Sequence, residues 1–230
     1  MQKKDKQKGW QVRSYLQTRI AALVMTLIII CGQTWIANAI NLSFAWVLPL
    51  ISGIMLLTSI ACYSGSHTRP SKFVRSLSIA VVVVLPLINL LCLVWFIYDM
   101  LNPATVTLPH QLLLAGFALW IVNIGVFSLA YWELDAGGPE VRALGLPTVF
   151  RNKIFPDFVF PQQESDNSQL APKNWIPGFA DYLYLSITTA TSFSPAGATP
   201  YSHLAKMMAG AEALLSLFIL GLIISRAISL

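Results

Sequence analysis

Charge is what this chain has least of. Only 11% of its 230 residues are Asp, Glu, Lys or Arg, against 56% hydrophobic residues, whereas soluble domains carry charge on about a quarter of their positions. That balance excludes an ordinary soluble domain and places the chain in a bilayer. Cysteine is nearly as scarce. Cys31, Cys62 and Cys92 all fall inside apolar runs, with no CxxC pair and no local histidine, so neither a disulfide framework nor a zinc site is indicated. They read as small packing residues, and no metal or cofactor is expected. No cleavable leader is evident or expected: the first apolar run is long enough to span and has no convincing small-residue cleavage site after it. It reads as a retained anchor.

What is present is a series of long apolar stretches. A span needs roughly 20 mostly apolar residues to cross about 30 Å of hydrocarbon, and Ile20 to Ile40, Phe44 to Tyr63, Leu77 to Tyr98, Leu112 to Leu134 and Leu204 to Ile224 qualify or nearly so. The basic residues sort around them. Lys3, Lys4, Lys6, Lys8, Arg13 and Arg19 precede the first span, and His67, Arg69, Lys72 and Arg75 fill the loop before the third. The turn at Asn41 and the loop Asp99 to His110 have no lysine or arginine. By the positive-inside bias the amino terminus and the basic loop are cytoplasmic and face anionic lipid. Membrane lipid is therefore the expected partner. Nucleic acid is not, because the tail lacks any binding fold.

Alternation then returns the fourth span to the cytoplasm near Glu133. Gly137, Gly138 and Pro139 end that helix, and five prolines punctuate the chain from 147 to 177, which makes 135–177 a loop by composition. Phe150, Phe155, Phe158, Phe160 and Trp175 suit a membrane interface: the segment either rests on the surface or caps a pore or pocket. At its start Glu133, Asp135, Glu140 and Arg142 concentrate charge at headgroup level. Such a group could hold a metal or a lipid phosphate, or simply be a solvated helix end. A lipid-processing enzyme is the weaker reading, because the spaced aspartates of membrane phosphotransferases are missing.

The last quarter carries the densest pattern. A short segment, Gly178 to Phe193, ends in Thr188, Thr189, Thr191, Ser192 and Ser194, hydroxyls that need shelter from lipid. They line a pathway, or they bond back to carbonyls of their own helix. Glu212 lies about 12 Å into the last span at 1.5 Å per residue, where a charge costs about 2.5 to 3.5 kcal/mol. It either faces a pore or cavity or reaches the interface. Asp181 in the first turn of the short segment suits the helix dipole. Ala205, Ala209 and Ala213 form a small-residue stripe for helix packing, and Asn89, Pro86 and Asn123 read as polar or kinked helix glue.

In register, 188–202 resembles the pore loop of the two-transmembrane potassium-channel superfamily, T-T-x-T-T-V-G-Y-G-D-x-x-P-x-T. It matches at Thr188, Thr189, Thr191 and Pro200, and conservatively at Ser192 and Ser202. Where that family has Gly-Tyr-Gly-Asp, this chain has Ser194, Pro195, Ala196 and Gly197, so two glycines are lost and Pro195 removes an N–H. A carbonyl ring for potassium is not expected from this loop. The segments Trp132 to Pro139, Asp157 to Gln162 and Asp181 to Pro195 also resemble a group of uncharacterised bacterial integral membrane proteins. That resemblance implies a bacterial inner membrane and a channel-like end, with no established activity. Gly197 stands where an acidic residue is expected.

Together these readings predict an all-α polytopic membrane protein of about five transmembrane helices plus one short re-entrant pore-like helix. Its parts are a basic tail (1–19), a four-helix region (20–134), an aromatic loop (135–177) and a pore-like module (178–230). The expected function is a channel-like protein not selective for potassium, working as a homo-oligomer and as a tetramer if it forms a pore. The competing expectation is a non-conducting accessory or scaffold protein.

Overall fold

The computed structural model describes residues 2–40, 42, 47, 50–51, 53–54, 72–102, 108–143, 155–164, 175–191 and 197–228. Of these, 85% are helical, so the class is all-α. The order is α1 (Gln2–Ala39), α2 (Lys72–Leu101), α3 (Pro109–Leu134), a 3-10 turn (Asp135–Gly137), α4 (Pro139–Ala143), β1 (Phe158–Val159), α5 (Pro161–Glu164), α6 (Phe179–Ala190), β2 (Thr199–Pro200) and α7 (His203–Ile228). Four helices hold stretches long and apolar enough to cross a membrane: Ile20–Ala39, Arg75–Leu101, His110–Gly137 and His203–Ile228. These coincide with four of the expected spans. The other, Phe44 to Tyr63, lies largely outside the described residues, as do Ser192, Ser194 and the side chain of Glu140.

α1 runs as one helix from Gln2 to Ala39, and its spanning stretch begins at Ile20. α3 opens with Pro109 in its first turn, where a missing N–H costs nothing and φ is already helical. Its sequence is apolar on every side, so it needs neighbours all round. It has them on most sides: α3 touches α1, α2, α6 and α7, keeps Leu114, Phe117 and Ile121 exposed, and its spanning stretch is 61% buried where that of α7 is 17% buried. Ile29, Ile36, Leu85, Phe96, Leu119 and Ile219 close the core around it. α7 keeps Met207, Leu214, Leu217 and Ile228 exposed, a surface suited to hydrocarbon.

Polar side chains join the helices inside this core. Gln33 Nε2 of α1 donates to the Leu85 carbonyl of α2 at 3.1 Å, Asn89 of α2 donates to Asn123 Oδ1 at 3.0 Å, and Asn123 of α3 donates to Ser216 Oγ of α7 at 3.0 Å. Asn89 and Asn123 are thus the helix glue that their positions suggested. Such bonds within membrane bundles average about 0.6 kcal/mol each. Their larger role is to fix the rotation of each helix, since a polar group turned to lipid finds no partner.

Candidate functional site

The carboxyl end of α3 is where the chain changes character. The helix stops because Ala136 (φ 48°) and then Gly137 and Gly138 (φ 77° and 104°) take left-handed backbone, which only glycine adopts without cost. At Gly138 a Cβ would also collide with Arg75 Nη1. Asp135, fully buried, turns its carboxylate into the following loop. It accepts the backbone N–H groups of Asp157 (2.7 Å) and Phe158 (3.1 Å) and the Tyr182 hydroxyl (2.5 Å). Asp157 returns the favour by accepting the Ala136 N–H at 3.2 Å.

Arg142, only 4% exposed, closes the other side. Its two terminal nitrogens donate to the carbonyls of Asp135 (2.5 Å) and Trp132 (2.6 Å), and its guanidinium lies 5.0 Å from the Tyr182 ring centroid. They lie at the helix end, where carbonyls run short of partners, and the Asp135 carbonyl also accepts the Gly138 N–H at 2.9 Å. Glu133 pairs instead with Arg75 at 3.1 Å, and Arg75 also donates to the Glu133 carbonyl at 2.9 Å. That pair fastens the start of α2 to the end of α3. So Glu133, Asp135 and Arg142 form a buried cradle rather than a solvated helix end. Among the described residues no three His, Cys, Asp or Glu side chains gather as metal ligands.

α6 begins at this cradle. Asp181 accepts the Gly178 N–H at 2.7 Å, satisfying a free donor at the helix start. Tyr182, Ser186 and Thr189 follow at i, i+4 and i+7 and are all buried, one polar stripe on one helix face. Tyr182 reaches Asp135. One turn on, Ser186 Oγ lies 2.8 Å from the Ile124 carbonyl of α3 and against Glu212 Oε1 of α7. The Tyr131 hydroxyl of α3 donates to the other oxygen, Glu212 Oε2. Glu212 is fully buried.

The next described residues lie against α6. Gly197 rests on it so closely that a Cβ would sit 2.8 Å from Tyr184 Cδ1, which accounts for glycine where an acidic residue was expected. β2 pairs antiparallel with β1, Thr199 opposite Val159 and Pro200 opposite Phe158, and the Tyr201 N–H bonds the Asp157 carbonyl at 2.8 Å.

The threonines turn inward on their own helix. Thr188 donates to the Tyr184 or Leu185 carbonyl, Thr189 to Leu185 and Thr191 to Ile187 or Thr188. Glu212 meets none of them. Ala205 is buried, and Ala209 and Ala213 are half-buried on α7. Tyr131, Ser186, Tyr182 and Asp157 are the residues the sequence reading passed over. The i, i+4, i+7 stripe was the available signal for Tyr182 and Ser186; Tyr131 and Asp157 had none. An apolar cavity of about 420 Å³ lies elsewhere, bordered by Leu42, Val84, Ile88 and Trp95.

Apolar helices around a core crossed by a few polar contacts, with exposed surfaces fit for hydrocarbon, match the class of helical multi-pass membrane proteins. No protein-family model, curated protein or solved structure matches the chain.

Proposed function

We propose that the chain is a channel-like protein of the bacterial inner membrane, built on a re-entrant hairpin held between α3 and α7. The observation that carries this reading is the placement of 178–191 and 197–202. α6 starts at Asp135, descends to the level of Ile124 and Glu212, and the following chain lies back along Tyr184 to pair with a strand that is itself bonded to Asp135. At 12 residues, α6 covers about 18 Å, short of the roughly 30 Å a span must cross. A segment that leaves by the side through which it arrived is the pore-loop plan of the resembled potassium channels, here without their filter glycines.

The Arg75–Glu133 pair joins the basic loop to the hairpin mouth, so a cytoplasmic basic loop makes that mouth cytoplasmic too. With Phe44 to Tyr63 as a fifth span, the amino terminus is also cytoplasmic. Conduction requires a ring of copies, four if it follows the resembled superfamily, with Thr188, Thr189, Thr191, Ser192 and Ser194 nearest its axis. The permeant ion is not potassium specifically.

One observation favours the second reading, a non-conducting accessory protein: the threonine hydroxyls are already bonded within their helix and both Glu212 oxygens are taken. Flux through purified protein in liposomes separates the two, comparing potassium, sodium, protons and chloride for the parent, Thr191→Ala and Glu212→Gln, with native mass measured beside it. Flux with an oligomeric mass supports the channel, and its dependence on Thr191 assigns the pathway to this loop. A strict monomer without flux of any ion supports the accessory reading.

A further inference from the structure

The surroundings of Glu212 can be counted hydrogen by hydrogen. A serine hydroxyl has one hydrogen to give, yet Ser186 Oγ stands within bonding reach of two oxygens, the Ile124 carbonyl at 2.8 Å and Glu212 Oε1. A peptide carbonyl accepts only. Were Glu212 a carboxylate, it too would only accept, and one of those two contacts would hold no hydrogen. With a proton on Oε1 the ledger closes: the carboxyl donates to Ser186, Ser186 donates to Ile124, and Tyr131 donates to Oε2. Three contacts then share three hydrogens.

The neighbours agree with that assignment. The groups facing Glu212 are Tyr131 from α3 and Ser186 from α6, and neither is a cation. Lys206 and His203, the basic residues at the start of α7, are exposed. Asp135 and Tyr182, further along the α3–α6 contact, are bonded to each other. A lone carboxylate sealed from water among apolar helices is costly, and neutralisation by a proton relieves the cost.

We propose that Glu212 is a proton-binding site whose proton-bound form holds α6 to α3 and α7 at once. On release the carboxyl O–H breaks, its electron pair stays on Oε1 and the proton passes to water. Ser186 is left with one hydrogen between two acceptors, so α6 keeps its bond to one neighbour, α3 or α7, and loses the other. The site is independent of conduction, so it stands whether or not a ring of chains carries ions.

An infrared pH titration of the purified protein in lipid nanodiscs, read beside amide exchange, tests it. At neutral pH the parent shows the carbonyl stretch of a protonated carboxylic acid, a band absent from Glu212→Gln and shifted in Tyr131→Phe. The band disappears at alkaline pH, together with about tenfold faster exchange at 185–190, the effect of one lost hydrogen bond. In Glu212→Gln the amide supplies an N–H to Ser186, and exchange does not change over the same range. A parent spectrum without the band at neutral pH overturns the site, as does a band that persists unchanged to alkaline pH or survives unshifted in both variants. If Glu212→Gln fails to fold, the shift in Tyr131→Phe decides alone.

Discussion

Asp135 and Glu212 are both carboxyls with no solvent exposure, and they are held in opposite ways. Asp135 meets two backbone N–H groups besides the Tyr182 hydroxyl, with the Arg142 guanidinium on its own carbonyl. An amide N–H donates and never accepts, so that carboxylate is fixed as an acceptor. Glu212 meets only hydroxyls, which give or take a hydrogen with equal ease. One carboxyl is built as a strut and the other as a clasp. The difference lies in the partners, since both sit in apolar surroundings.

Breaking the strut has the largest expected effect. Asp135→Ala leaves two buried N–H groups and the Tyr182 hydroxyl without an acceptor, and costs about 3 kcal/mol or more at about 1–3 kcal/mol per buried group. Unfolding in detergent measures it, and a loss below 1 kcal/mol would mean that the cradle does not hold the loop. Arg142→Lys comes next at about 2 kcal/mol, because a single ammonium cannot meet both carbonyls and stack on Tyr182 as a planar fork does. A wild-type melting curve would show that the two carbonyls find other donors.

The clasp is weaker. Tyr131→Phe removes one hydrogen bond and costs about 1 kcal/mol, and Glu212→Gln costs less than Tyr131→Phe because the amide keeps a donor toward Ser186. The reverse order would make the charge of Glu212, rather than its hydrogen bonding, the stabilising feature. Smallest is Ala136→Gly. Relief of the left-handed φ of 48° against the entropy of glycine stabilises by about 0.5–1 kcal/mol, seen as a slightly higher unfolding midpoint.

The same contrast marks how far the sequence could be read. The span boundaries were legible because hydropathy over some 20 residues is a one-dimensional property, and α2, α3 and α7 start and stop within a few residues of expectation. Glu212 stood out for the same reason, as a lone acid in an apolar run. Its partners did not. Tyr131 and Ser186 come from 81 and 26 residues away along the chain, and neither residue type is unusual where it sits. Ser186 belonged to a period-of-four stripe with Tyr182 and Thr189, masked by the adjacent run of threonines that drew the eye by composition. At 133–142 composition showed a concentration of charge but not its direction. That Arg142 caps carbonyls while Asp135 gathers amides from the 157–158 turn depends on a loop closure no local pattern encodes.

The hairpin is the central claim, and sidedness tests it most directly. In a background with Cys31, Cys62 and Cys92 replaced by alanine, single cysteines at Asn167, Ser202 and Asn102 are exposed to a membrane-impermeant thiol reagent in sealed vesicles of each orientation. Cysteines at Asn167 and Ser202 should both react from the face that carries the Arg75 loop, and one at Asn102 from the other. Asn167 and Ser202 reacting from opposite faces would make α6 part of a crossing segment and end the re-entrant account.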